Sequence, residues 1–348
     1  IIAAIGGMVV PALFYYSFNT TGIGVDGWGV PMATDIAFAV GVLVLLGSRV
    51  PKSLMTFLVA LAIVDDLGAV AVIAIFYTET IVWGALGTAV LLVGVLILFN
   101  LFGIRSPIPY FTIGLFLWLA LLQSGIHATV AGILTAWTIP ARSKFDMLRF
   151  GGIIQSLGGR IKQRIDADEE CDIMKNEEQR RGVVQTLIDG IHMIETPLQR
   201  LEHDLHIPVA YMIIPLFALA NAGIPIELED IPNLLSEPIT LGIMAGLVLG
   251  KVVGISGATL LAAKLGLGEL PEGTKPGHII GVGFVGGIGF TMSIFIAELA
   301  FEDQEQALIL AKTGVLFSSV IAGIIGMSWL YLYSKKDSAV VNENPASP

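Results

Sequence analysis

Two adjacent carboxylates, Asp65 and Asp66, lie inside an apolar stretch that reads Leu61-Ala-Ile-Val-Asp-Asp-Leu-Gly68. Neighbouring residues of a helix point about 100° apart, so we expect the two side chains to face one cavity from two directions. Carboxylate oxygens are hard ligands that suit Na+, Li+ or H+. Burial favours the neutral acid and a nearby ammonium favours the carboxylate, so such a pair can exchange protons for a cation. The alternatives are a buried salt bridge or a helix-end cap.

A third carboxylate, Asp35, directly follows Thr34 and lies shortly after Pro31. A proline that interrupts an apolar helix leaves helix ends inside it, and a carboxylate stabilises the N-terminal end. We therefore expect Asp35 to compensate the charge of a broken helix. An ordinary N-cap at the start of a short helix stays open as the other interpretation.

Two lysines also lie in apolar stretches. Lys251 is central in its stretch, where it could pair with an aspartate, offset a helix C-terminal end, or snorkel to the interface. Lys312 lies nearer the end of its stretch, where snorkelling and function are equally open. A charge at the bilayer centre costs at least about 2.5 kcal/mol, so packing alone does not explain these lysines and the three carboxylates.

Histidines form the remaining candidates. Glu202 and His206 are four residues apart and share a helix face, with His203 beside them. Histidine titrates near neutral pH, so we expect this cluster to sense cytoplasmic pH. Zinc ligation and an ordinary helix start stay open as alternatives. His127, near a predicted turn, is either a local hydrogen-bonding residue or part of the pH response.

The elements that must position these residues are those of a membrane protein. Hydrophobic residues make up 55% of the 348 residues and charged residues 14%, against roughly 25% charged in soluble domains. The mean hydropathy is +0.81. This composition excludes a soluble enzyme, a disordered chain and, with Cys171 as the one cysteine, a disulfide scaffold. The net charge is -10, whereas nucleic-acid binding relies on positive charge, so we expect no nucleic-acid partner. No nucleotide motif or catalytic array is visible, so we expect no enzyme and no cofactor.

We predict about ten spans, all helical, because lipid offers no partner to an open strand edge. The ionisable residues that we single out within them are Asp35, Asp65, Asp66, His127, Lys251 and Lys312. The predicted spans are 1–17, 31–47, 53–76, 82–102, 109–122, 124–140, 205–222, 237–262, 278–299 and 307–333.

All Lys and Arg residues except Lys251 and Lys312 fall in alternate loops or in the tail. The positive-inside rule places these loops and the C-terminus in the cytoplasm. The polar region 141–204 then lies in the cytoplasm, and its last part has the leucine spacing of an amphipathic helix. We expect a solvated connector there, with a regulatory domain as the alternative.

The first three and the last three spans run in opposite senses, which is the pattern of an inverted repeat. The middle span of each set is interrupted, the first by Pro31-Met-Ala-Thr-Asp35 and the second by the glycine-rich run from Gly281 to Thr291. Interrupted spans in corresponding positions of two inverted halves indicate a transporter with its site near the membrane midplane.

Several motifs of the sequence resemble the NhaA family of bacterial Na+/H+ antiporters. They are Ala33-Thr-Asp-Ile-Ala-Phe-Ala39, Val64-Asp-Asp-Leu-Gly68, Gln123-Ser-Gly-Ile-His-Ala-Thr129, Arg200-Leu-Glu-His-Asp-Leu-His206, Pro215-Leu-Phe-Ala-Leu-Ala-Asn-Ala-Gly223, Gly250-Lys251 and Gly286-Gly-Ile-Gly-Phe-Thr-Met292. The resemblance implies an all-α polytopic inverted-repeat transporter with two crossed broken helices.

The resemblance also implies residue roles. Asp66 would be the main ion and proton ligand, and Asp65 its partner, paired with Lys251 when no ion is bound. Thr34 and Asp35 would lie where the first broken span crosses the second, near residues 286–289. Glu202, His203 and His206 would belong to a pH-sensing funnel, and His127 would tune the pH response.

We divide the chain on this basis into core repeats and scaffold. The family has twelve spans, and the resemblance implies that this chain carries the last ten, so that its start is incomplete. The division is a first core repeat at 1–76, scaffold spans at 77–140, a cytoplasmic loop and helix at 141–204, a scaffold span and outer loop at 205–236, a second core repeat at 237–333 and a cytoplasmic tail at 334–348.

The function that we expect is exchange of cytoplasmic Na+ or Li+ for external H+ by alternating access. We expect it to be pH-regulated, electrogenic and located in the bacterial inner membrane. Membrane lipid is the expected surrounding, and a homodimer is a candidate assembly. A sodium-coupled symporter of organic solutes and a transport-dead fragment are the alternatives.

Overall fold

The computed structural model describes residues 1–77, 81–141, 155, 196–221, 223 and 231–342. The chain divides into two compact units, Ile1–Thr78 with Met212–Pro348 as the first and Glu79–Tyr211 as the second. The described residues form helices and no strand, which confirms the predicted fold class. The division into core repeats and scaffold spans stays a prediction.

The first unit contains both interrupted spans. Its N-terminal helices are α1 (Ile2–Phe18), a 3-10 helix (Ile23–Met32), α2 (Ile36–Leu46) and α3 (Lys52–Phe76). Its later helices are α8 (Ile214–Asn221), α9 (Ile231–Ser236), α10 (Pro238–Met244), a π-helical turn (Ala245–Gly250), α11 (Lys251–Lys264), α12 (Pro276–Val285), α13 (Phe290–Ala300) and α14 (Glu305–Asn342).

In the second unit the described residues form the helices α4 (Trp83–Leu101), α5 (Pro107–Ser124), α6 (Thr129–Thr138) and α7 (Pro197–Pro208). A π-helical turn, Val209–Ile213, follows α7. The helix predicted from the leucine spacing is α7, and Leu198 and Leu201 pack on the apolar core of this unit. Thr196 and Gln199 cap its start reciprocally, since each side chain accepts the backbone N–H of the other.

Among the described residues, six helices are long and apolar enough to cross a membrane, and each of two bent pairs makes a further candidate. The bent pairs are Ile23–Met32 with Ile36–Arg49, at 41°, and Pro276–Val285 with Phe290–Ala300, at 50°. The two remaining predicted spans, 1–17 and 124–140, correspond to the shorter helices Ile2–Phe18 and Thr129–Thr138.

The predicted start of the first broken span, at residue 31, is wrong. Its upstream half begins at Ile23 and includes Asp26. Glycines interrupt the apolar pattern at 24, 27 and 29, and this half is a 3-10 helix rather than an α-helix. Helix propensity is therefore low over a segment that packing nonetheless keeps helical.

Helix α1 packs closely against α11 because both present glycine at the contact. A Cβ built on Gly254 would lie 2.2 Å from the carbonyl oxygen of Gly6, and a Cβ on Gly6 would lie 2.4 Å from that of Gly254. Side chains cannot be accommodated at such distances, so glycine is needed for the two backbones to touch. This contact fixes α11, and with it Lys251, against α1.

Candidate functional site

The two broken spans cross at their breaks. Residues 33–35 separate the 3-10 helix from α2, and residues 286–289 separate α12 from α13. The backbone N–H of Asp35 donates to the carbonyl of Ile288 across the crossing, at 2.7 Å. Four helix ends therefore meet inside the first unit, and each end brings backbone groups that have no partner in their own helix.

Asp35 serves the two N-terminal ends at once. Its Oδ1 accepts the backbone N–H of Phe38, at 3.2 Å, as the N-cap of α2. Its Oδ2 accepts the backbone N–H of Thr291, at 3.0 Å, in the first turn of α13, and the hydroxyl of the same threonine. A negative charge between two helix N-termini is electrostatically favourable. The N-cap interpretation is thus confirmed, and the charge-compensating role of Asp35 stays a prediction.

Lys251 contacts the C-terminal end of the 3-10 helix. Its Nζ donates to the carbonyl oxygen of Met32 and forms an ion pair with Oδ2 of Asp65. Both charged side chains have no exposed surface. The π-helical turn Ala245–Gly250 immediately precedes Lys251, and such turns concentrate at functional sites. Snorkelling to an interface is excluded for this lysine.

Thr34 links the ion pair to the second broken span. Its Oγ1 lies 2.8 Å from Oδ2 of Asp65 and 2.8 Å from the carbonyl oxygen of Gly286 at the end of α12. A hydroxyl carries one proton and cannot donate to both acceptors at once. Thr34 can therefore redirect its hydrogen bond when the charge or the protonation of Asp65 changes.

Asp65 and Asp66 each leave one buried oxygen without a hydrogen-bond partner. The oxygens are Oδ1 of Asp65 and Oδ1 of Asp66, two of a few such side-chain atoms in the described part of the chain. An unsatisfied carboxylate oxygen is costly to bury, and in native structures such a group calls for an explanation such as an ion or water. The donor set fits a small hard cation or protons.

The histidine cluster lies in the second unit, on α7. Glu202, His203 and His206 are all exposed. No group of three metal-binding side chains occurs among the described residues, so zinc ligation has no support there. His127 is half-buried in the turn between α5 and α6, and its carbonyl accepts the backbone N–H of Val130 at 3.1 Å. The pH-sensing roles of these four residues stay predictions.

Sequence reasoning missed several polar residues of the first unit. Glu298 lies within α13 and pairs with Lys312 at 2.8 Å, so Lys312 has a partner that the predicted set of ionisable residues lacked. Ser293 and Ser319 contact the crossing itself. Serine is common in membrane helices, and no motif marked these two.

Comparison with known proteins identifies the family. The model of the family described as Na+/H+ antiporter 1 matches residues 1–330. The chain is 53% identical to "Na(+)/H(+) antiporter NhaA 1" of Saccharophagus degradans over 98% of this chain and 73% of that protein. It is 52% identical to "Na(+)/H(+) antiporter NhaA" of Sulfurimonas denitrificans, over 96% of this chain and 74% of that protein. The chain is therefore a multi-pass membrane protein that belongs to the NhaA family of Na+/H+ antiporters.

Proposed function

We propose that this protein exchanges Na+ or Li+ for H+ across the membrane. The observation that carries the proposal is the pair of unpartnered carboxylate oxygens on Asp65 and Asp66, beside a buried lysine at the crossing of two broken helices. The relatives named above are Na+/H+ antiporters, which supports the same conclusion. The chemistry is ion exchange, and we propose no enzymatic activity and no cofactor.

In this proposal the cation and protons compete for one site. A cation bound between Asp65 and Asp66 weakens the ion pair between Lys251 and Asp65, because the cation and the ammonium compete for the same carboxylate. Protonation of the carboxylates releases the cation. Release of two protons per Na+ would move one net charge per cycle, worth about 2.3 kcal/mol per 100 mV of membrane potential.

We further propose a location and an orientation. The alternation of basic loops supports a cytoplasmic C-terminus in a bacterial inner membrane. Large apolar side chains exposed on the described helices would contact membrane lipid. We retain a homodimer as the candidate assembly.

The experiment that tests the function uses Asp66→Asn in proteoliposomes that report proton flux. Asparagine preserves the size of the side chain and an uncharged amide costs less to bury than a carboxylate, so we expect the variant to fold. We expect it to lose Na+-dependent proton release, because the amide cannot exchange a proton for a cation. Asp303→Asn, which changes an exposed carboxylate in the same unit, is the matched control and should retain exchange.

The same assay separates the alternatives. Exchange with no organic solute present supports antiport, and a requirement for a solute would support symport. No Na+-dependent flux in the unmodified protein would support a transport-dead chain. Exchange at a near-normal rate in Asp66→Asn would show that the site is assigned to the wrong residue.

We also propose that Glu202, His203 and His206 set the pH response. They are exposed titratable groups on one helix, which begins within the last part of the polar region 141–204. Replacing all three with neutral residues should shift the curve of exchange rate against pH and preserve the maximal rate. Asp204→Asn, on the same helix and equally exposed, should leave the curve in place. An unchanged curve in the triple variant would show that the cluster is an ordinary helix start with no role in the pH response.

A further inference from the structure

Helix α13 begins without a cap of its own. The residue before it is Gly289, which has no side chain to accept the free N–H groups of the first turn. The backbone N–H of Phe290 donates instead to Oγ of Ser319, at 3.1 Å, on the unbroken helix α14. Asp35 takes the next N–H, that of Thr291. The first two N–H groups of α13 are thus accepted by a neutral hydroxyl and a carboxylate that belong to two other elements.

The same turn of α13 also forms a hydrogen bond with the first broken span. Ser293 is fully buried, and its Oγ donates to the carbonyl oxygen of Val30 at 2.8 Å. Val30 lies in the last turn of the 3-10 helix, where a buried carbonyl lacks a donor from its own helix. Two residues further on, Met32 contacts Lys251, and Thr34 follows beside Asp65.

The two hydroxyls make corresponding contacts across the crossing. Thr34, just before α2, contacts the C-terminal end of α12 at the Gly286 carbonyl. Ser293, in the first turn of α13, contacts the C-terminal end of the 3-10 helix at the Val30 carbonyl. They differ in one respect, because Thr34 also contacts Asp65. The Ser293 hydrogen bond has no charged partner and can stay in place while the bound ion changes.

We propose that Ser319 and Ser293 are positioning residues for the cation site. Ser319 holds the first turn of α13 in position through its hydrogen bond. Ser293 on that turn fixes the segment from Val30 to Thr34 against Asp65 and Lys251. Hydrogen bonds thereby connect α14 to the ion pair through two serines that themselves bind no ion. The inference rests on the proposed function, since it assigns the cation site to Asp65 and Asp66.

The test compares Ser293→Ala and Ser319→Ala with Ser318→Ala. Ser318 is the matched control: it is fully buried, neighbours Ser319, and donates to the Val315 carbonyl of its own helix at 3.0 Å. In proteoliposomes we expect each of the first two variants to raise the KM for Na+ about fivefold to tenfold, the effect of one buried hydrogen bond. The maximal rate should stay within about twofold, because binding geometry and not the exchange step is altered. Ser318→Ala should keep the original KM.

A second readout is independent of transport. The Na+ concentration that gives half of the Na+-induced thermal stabilisation of the purified protein should rise in parallel with KM. Ser293→Thr and Ser319→Thr, which retain the hydroxyl, should restore both values. The double variant Ser293→Ala with Ser319→Ala should raise KM by less than the product of the single effects, because both serines act through one turn.

The outcomes separate this inference from the proposed function. An unmodified protein that is stabilised by Na+ but exchanges no protons would overturn the proposed function, and the half-stabilising Na+ concentration would still test the serines. A lower melting temperature with an unchanged KM would show that the serines only pack, and would overturn the inference. If Ser293→Ala cannot be purified folded, Ser293→Cys decides: its weak donor should raise KM at least about twofold, and an unchanged KM would overturn the inference.

Discussion

Because the Lys251–Asp65 ion pair is buried, we expect Lys251→Met to destabilise the protein. Neither side chain has any exposed surface. Methionine matches the length of lysine, so the change removes the ammonium and leaves the carboxylate of Asp65 with Thr34 as its remaining hydrogen-bonding neighbour. Removing one partner of a buried ion pair costs about 3–5 kcal/mol, because the other charge stays buried without compensation.

A loss of this size should lower the melting temperature of the detergent-purified protein by on the order of 10 °C. Thermal unfolding followed by fluorescence measures it. Lys264→Met is the matched control, since Lys264 ends the same helix and is exposed. Its melting temperature should change by a few degrees at most, as for other surface positions.

The double variant Lys251→Met with Asp65→Asn tests the cause. Replacing a whole buried ion pair with neutral groups is often close to neutral for stability. We therefore expect the double variant to recover at least half of the loss seen in Lys251→Met. A Lys251→Met protein as stable as Lys264→Met, or a double variant that loses the sum of the single losses, would refute the reasoning from burial.

Two further predictions concern the crossing and the helix packing. Thr34→Val should raise the KM for Na+ in the proton-flux assay, because Asp65 loses a hydroxyl neighbour, while Thr34→Ser should retain the original KM; equal KM values in both variants would contradict this. Gly254→Ala should destabilise the protein by about 1–3 kcal/mol, since the new methyl would overlap the backbone of Gly6. Gly257→Ala, on the same helix with nothing within 4 Å of the new Cβ, should be neutral or slightly stabilising in the same thermal unfolding measurement.

Local rules predict much of this fold from the residues alone. The lengths of the apolar stretches identify the membrane helices, because a helix needs about 20 apolar residues to span the hydrocarbon. Asp35 was predictable as a cap, since aspartate before an apolar run is a common N-cap. The same rules failed at Ile23–Met32, where a glycine-rich segment is helical only in its tertiary context.

The site divides in the same way. Asp65, Asp66 and Lys251 could be predicted as candidate site residues from the sequence, because a charge is too costly in an apolar helix to be incidental. Their pairing has no local signal, since Asp65 and Lys251 are separated by 186 positions, and only the family resemblance implied it. The second hydrogen bond of Asp35, to Thr291, spans 256 positions and likewise has no local signal.

The amino-acid sequence thus determines that this is a membrane protein, where its helices lie and which charged residues are candidates for the site. Hydropathy and the cost of burying a charge are properties of each segment by itself. The tertiary structure decides which carbonyl each hydroxyl meets: Thr34 that of Gly286, and Ser293 that of Val30. The physical reason is that the free ends of a broken helix must find partners within hydrogen-bonding distance. The crossing of two distant spans, and no local pattern, brings those partners there.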